Sequence, residues 1–90
     1  MDLDALPDLA PHDTAYYRRL SADTFAPTLN AQGAWNAHEQ HMAPVAGLLA
    51  HVVAGHEHRE DLALARISFE ILGLIPALPT TVRVTTLRPG

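Results

Sequence analysis

The sequence predicts an α+β fold in which an antiparallel sheet wraps one central helix, and three stretches carry that prediction. Met42 to Gly55 sets apolar residues at helical spacing. Ala65 to Ile71 alternates apolar and polar residues with a period of two. Ala15 to Leu20 and Thr24 to Thr28 place aromatic and β-branched residues on either side of a short polar break, the signature of a hairpin.

The helix is the centre of the design. Val45, Leu48, Leu49, Val52 and Val53 fall at i, i+3, i+4, i+7 and i+8, while the opposite side holds Ala46, Gly47, Ala50 and Ala54. A helix that is apolar or small all round is expected to be buried, with His51 as its single strongly polar side chain. Pro44 suits a first turn, where a missing N–H costs nothing, and Gly55 suits the left-handed residue that ends a helix. At fourteen residues the stretch is too short to cross a bilayer, which takes about 20.

In chain order, Met1 to Asp13 is a leader of alternating acids and leucines broken by Pro7 and Pro11, expected to form a flexible acidic arm. The hairpin follows, turning at Ser21-Ala22-Asp23, with Pro27 holding its second strand to an edge or marking its end. Leu29 to Gly33 reads as loop and Ala34-Trp35-Asn36 as a brief extended segment, after which the helix opens from Ala37 to His41. His56 to Asp61 is a solvated charged connection. In the strand predicted over 65–71, one face, Ala65, Ile67, Phe69 and Ile71, should pack on the helix, leaving Arg66, Ser68 and Glu70 on the other. Leu72 to Pro79 is a proline-punctuated connection, and Thr80 to Leu87 reads as a further strand. Arg88-Pro89-Gly90 has the composition of a tight turn. A turn that leads nowhere creates the expectation of a fragment or a truncated gene product.

Composition narrows what such a domain does. Ninety residues make one small domain, and a chain of this size hides only roughly 60% of the surface its unfolded form exposes, so oligomerisation is the expected source of extra stability. With no cysteine there is no disulfide framework, no thiolate metal site and no cysteine nucleophile. The acidic start lacks the basic and then apolar pattern of a secretory signal, and the expected location is the cytoplasm. The net charge of -4 resides in Asp2, Asp4, Asp8 and Asp13; residues 14–90 balance six arginines against six acids. A neutral body without a basic stripe argues against nucleic acid as partner, and no stretch argues for a membrane.

The order of hairpin, tryptophan loop, apolar helix, Ile67 to Pro76 and Val84 to Gly90 resembles the N-terminal half of the acyl-CoA thioesterase-like hotdog family, the TesB-like double-hotdog proteins. The resemblance covers about Tyr16 to Gly90. Its specific pieces are Gly33-Ala34-Trp35-Asn36, similar to the family's Gly-Pro-Trp-Asp; His41-Met42-Ala43-Pro44, similar to its His-Gly-Gly-Pro at the helix start; and Leu87-Arg88-Pro89-Gly90. The resemblance implies a hotdog fold, an antiparallel sheet curled around one helix, with residues 14–90 a partial N-terminal hotdog domain lacking its last strands. It also implies hydrolysis of an acyl-coenzyme A thioester by an activated water, without metal or other cofactor, in an assembly of two hotdog units. Met42 and Ala43 stand where the family has paired glycines. Glycines there let a thioester carbonyl approach backbone amides at the positive end of the helix dipole. The TesB-like catalytic carboxylate, threonine and glutamine lie largely in the second hotdog, so the resemblance assigns no catalytic residue here.

Candidate site residues follow. His41 reads either as a helix-start cap or as a group that orients a carbonyl or a water, and it is the best catalytic candidate. Trp35, His41, Met42 and Ala43 form the expected substrate-binding set, with Trp35 also readable as a core or lid aromatic. His38 and His41, with Glu39, His56 and His58, invite a metal reading. His38-Glu39-Gln40-His41 is one residue short of His-Glu-x-x-His, and solvated loop histidines are the plainer account. His51 reads as a satisfied core histidine. Arg18, Arg19 and Arg88 suit either solvated strand charges or coenzyme A phosphates, and Arg66 and Glu70 suit surface or interface groups. Two functions emerge: an acyl-CoA thioesterase, weak or inactive as this chain alone, and a non-catalytic acyl-binding or assembly module. Either form is expected as a homo-oligomer or paired with another hotdog unit, the unpaired edge of Val82 to Leu87 being the expected contact.

Overall fold

The computed structural model describes Leu6, Leu9 and residues 15–89; the expected acidic arm and Gly90 otherwise lie outside the described residues. The architecture is α+β, one α-helix and a three-stranded, open, antiparallel sheet of order β1-β2-β3. Strands β1 (Tyr17–Arg19) and β2 (Thr24–Pro27) form the expected hairpin, with Tyr17 opposite Pro27 and Arg19 opposite Phe25. Its turn is closed by the Leu20 and Ser21 amides donating to the Thr24 carbonyl, and by Ser21 and Thr24 hydroxyls donating to Asp23 Oδ1. Pro27 is the last residue of the central strand, where its missing N–H costs no ladder bond. Thr28 then sits fully buried, its hydroxyl 2.9 Å from the Ala15 carbonyl and accepting from the Asn30 amide, which starts a 3₁₀ turn over Leu29–Ala31.

Helix α1 (Met42–Gly55) has the predicted bounds but not the predicted burial. Only Pro44, Val45 and Leu48 are buried; Ala43, Gly47, His51, Val53 and Ala54 face solvent. The reason is the size of the sheet. Three short strands cover one stripe of the helix, through Phe25, Leu48 and Val82 with Tyr17, Leu49 and Val52 packed around them. The stopper also differs, because Gly55 has no positive φ and the left-handed residue is Glu57, at φ 46°. Ala37 to His41 does not open the helix. It runs between two neighbours, Gln32 bridging Gln40 and Glu39 bridging Pro76, with the His41 amide 2.7 Å from the Ala31 carbonyl and the Gln40 amide 2.7 Å from that of Ile75.

The two C-terminal strand expectations are corrected. Residues 62–72 form no helix, turn or strand and are exposed throughout, so the apolar face of 65–71 does not pack into the helix. Alternation marks a stretch fit for pairing, and no other described strand comes alongside to supply the partner. Over Thr80 to Leu87 only β3 (Thr80–Thr81) pairs, opposite Phe25 and Thr24. The Val82 amide adds one bond to the Asp23 carbonyl, and beyond it β2 gives way to the hairpin turn and offers no further partner. Among the described residues no helix is long and apolar enough to cross a membrane.

Candidate functional site

The mouth of α1 is built by the bridged segments and by a closed loop. Asn36 Oδ1 accepts the His38 amide at 2.9 Å, the Glu39 amide reaches back to the Asn36 carbonyl, and Gln32 Nε2 holds the Ala37 carbonyl. Gly33 makes this loop possible. Its amide donates to the Glu39 carbonyl at 2.8 Å, and a Cβ on it would lie 2.7 Å from the Asn36 carbonyl oxygen and 2.8 Å from Glu39 Cγ. The loop therefore presents Trp35 rather than burying it: the indole is 98% exposed. An exposed indole on a hydrogen-bonded loop is a surface for contact, and the core reading of Trp35 falls.

Trp35, His41 and Met42 come together on one cleft of about 210 Å³, whose remaining walls include Ile71, Leu74 and Ile75. Ala43 lies on the other side of His41, in a separate concavity of about 410 Å³ that it shares with Tyr16, Tyr17 and Asn30. His41 borders both. It occupies the N-cap position with extended backbone, but its side chain makes no capping bond, so the cap reading is realised by backbone alone. Its imidazole has no hydrogen-bond partner among the described residues.

Next to His41 stands the group that the sequence does not reveal. Gln40 is buried, accepts the Tyr17 hydroxyl on Oε1 at 2.6 Å, and donates from Nε2 to the Pro76 carbonyl and to Thr80 Oγ1, both at 2.8 Å. Thr80 in turn donates to the Leu78 carbonyl. One amide thus ties β1, the base of the helix mouth, the 76–78 connection and β3. Burial pushes the Tyr17 phenol up to about 12. Nothing in the local sequence announces Gln40, because its side-chain partners lie 23, 36 and 40 residues away.

The other candidates fall elsewhere. His51 is exposed and lines a wide concavity of about 540 Å³ with Arg19, His56 and His58, which corrects its reading as a core histidine. His56 Nε2 and Thr86 Oγ1 are 3.0 Å apart, and Thr86 donates to Glu57, pinning the C-terminal stretch to the end of the helix. Among the described residues no three His, Asp or Glu side chains are placed to hold a metal. Arg19 lies over the Phe25 ring at 5.0 Å, on the cavity away from His41, and Arg18 and Arg88 line neither concavity that His41 borders.

No protein family, curated protein or solved structure matches the chain. The functional reading therefore rests on the geometry at the helix mouth and on the resemblance of the motifs that build it.

Proposed function

We propose that this chain is a hotdog-type unit of the acyl-CoA thioesterase-like kind, a cytoplasmic protein that binds acyl-coenzyme A at the mouth of α1 and pairs with another such unit for turnover. The observation that carries the reading is the meeting of Trp35, His41 and Met42 on one cleft. Its wall of Ile71, Leu74 and Ile75 suits an acyl chain, with Glu39 and Gln40 among the polar members of the lining. The first amides of α1, which have no intrahelical acceptor, suit a thioester carbonyl on which negative charge develops.

Binding without rapid hydrolysis is favoured by what surrounds His41. A general base needs a third group to fix its ring and tautomer, and His41 has no such partner among the described residues. General-base assistance is worth about 10²- to 10⁴-fold and each oxyanion donor about 10²- to 10³-fold. With Met42 on the cleft where the resembled family has a glycine, the chain alone should release little free thiol from short- to long-chain acyl-coenzyme A. Calorimetric titration with a non-hydrolysable acyl-coenzyme A analogue tests the site. Met42→Gly should tighten binding, whereas His41→Ala and Trp35→Ala should weaken it. Equal affinity for all four proteins would remove the site, and robust turnover that is lost in His41→Ala would make His41 the base.

A further inference from the structure

The end of α1 opposite His41 carries a concavity of about 540 Å³, walled by Arg19 of β1, by His51 on the helix, by His56 and His58 where the chain leaves it, and by Val82 and Val84. It shares no residue with the cleft of Trp35, and a helix of fourteen residues sets its two ends about 20 Å apart. Its volume falls in the range of small-molecule sites, about 300–1,000 Å³. All four ionisable side chains of the lining are bases, and no carboxylate joins them. Residues 14–90 balance arginines against acids, so this is a local segregation of charge.

Two of these bases are already held in place. The Arg19 guanidinium lies 5.0 Å over the Phe25 ring and donates from Nη1 to the Ala22 carbonyl at 3.3 Å, yet has no carboxylate partner among the described residues. Thr86 gives its one hydroxyl proton to Glu57, so it accepts from His56, whose Nε2 therefore carries a proton. The same bond pins the stretch that carries Val84 to the end of the helix. His51 and His58 have no hydrogen-bond or ion-pair partner among the described residues. The nearby acids are engaged outside the lining: Glu57 with Thr86 and 3.9 Å from His56 Nε2, Asp23 in the hairpin turn, and Asp61 with Arg59. Arg83, between the two valines in sequence, is a further base.

We propose that this concavity binds a small phosphomonoester with an apolar body. The planar guanidinium can take two phosphate oxygens at once, and the imidazoles donate N–H groups to the rest and gain charge as pH falls. Val52, Val82 and Val84 supply the apolar contact. A carboxylate, with one charge and two oxygens, would leave part of this donor set unused.

The test is titration of the full chain with phenyl phosphate, inorganic phosphate and sulfate, read by the imidazole proton shifts in NMR spectra. The resonances of His51, His56 and His58 should move and saturate while those of His38 and His41 stay. Phenyl phosphate should bind roughly threefold more tightly than inorganic phosphate through contact with the valines, and equal affinity would overturn the organic ligand. Sulfate, a dianion throughout, should bind more tightly at about pH 6 than at about pH 8, because only the imidazoles change charge over that range. Arg19→Gln should weaken phenyl phosphate by about tenfold. Since Arg19 also packs on Phe25, the deciding variants are His51→Gln and His58→Gln, which remove no contact within the described fold and should each weaken binding by about 2- to 5-fold at acid pH. No saturable shift, shifts spread evenly over the histidines, or an affinity unchanged in both histidine variants overturns the proposal. A saturating non-hydrolysable acyl-coenzyme A analogue should leave the affinity for phenyl phosphate unchanged; competition would also overturn it, the phosphate then belonging to the ligand of the other cleft. If the analogue does not bind at all, the reading of the helix mouth fails while the phosphate result stands.

Discussion

Replacing Gln40 by alanine should cost more than any other single polar change in the described fold. The side chain makes three short hydrogen bonds, to the Tyr17 hydroxyl, the Pro76 carbonyl and Thr80 Oγ1. At about 1 kcal/mol net each, their loss amounts to about 3 kcal/mol. Because Gln40 is buried, truncation also strands the Tyr17 hydroxyl and the Pro76 carbonyl, and each orphaned group costs about 1–3 kcal/mol unless water reaches it. Gln40→Ala should therefore destabilise by about 3 kcal/mol where water reaches both orphaned groups and by about 5 kcal/mol or more where it does not, most of the stability of a domain whose total lies at the low end of about 5–15 kcal/mol. Gln40→Glu separates bonding from packing. It keeps the acceptor for Tyr17 but turns an oxygen toward the Pro76 and Leu78 carbonyls, so it should destabilise at neutral pH and recover partly when acid protonates it. Urea unfolding followed by far-UV circular dichroism is the assay, since Trp35 is too exposed to report on the core. A cycle with Tyr17→Phe should return a coupling of about 1 kcal/mol. A loss under 1 kcal/mol for Gln40→Ala would show that the four segments are not held by this amide.

Three further outcomes follow from single groups. Gly33→Ala should destabilise the tryptophan loop by about 1–3 kcal/mol, because the added methyl meets the Asn36 carbonyl oxygen at 2.7 Å, and faster hydrogen exchange at the Glu39 amide checks it. The Tyr17 phenol, raised to about 12 by burial, ionises more readily in the unfolded chain, so its contribution to stability is complete below pH 10 and disappears as pH rises through 12. Allowing for the screening of a half-buried group, that loss is about 1–2 kcal/mol; denaturation midpoints at pH 9 and pH 11.5 should show it, and Tyr17→Phe should abolish it. His41→Asp should stabilise α1 by about 1 kcal/mol, raising the melting temperature by about 4–8 °C, since the N-cap has the extended backbone a capping carboxylate needs and lacks a side-chain bond.

What was legible in the sequence was local. The Ser21-Ala22-Asp23 break and the run from Met42 to Gly55 each contain their own instructions, a turn carboxylate between strand formers and an apolar period with proline near its start, and both elements appear with close to the expected bounds. Alternation in Ala65 to Ile71 is equally clear, yet no strand forms there. Period two states which side chains share a face; it does not supply the neighbour that makes a strand a strand. The burial of the helix failed for the same reason, since Val53 is 39% exposed where the sheet does not extend far enough to cover it. The motif resemblance named Trp35, His41, Met42 and Ala43 together; the first three line one cleft, whereas Ala43 borders another concavity. Gln40 was missed because a hub is defined by what returns to it from distant parts of the chain.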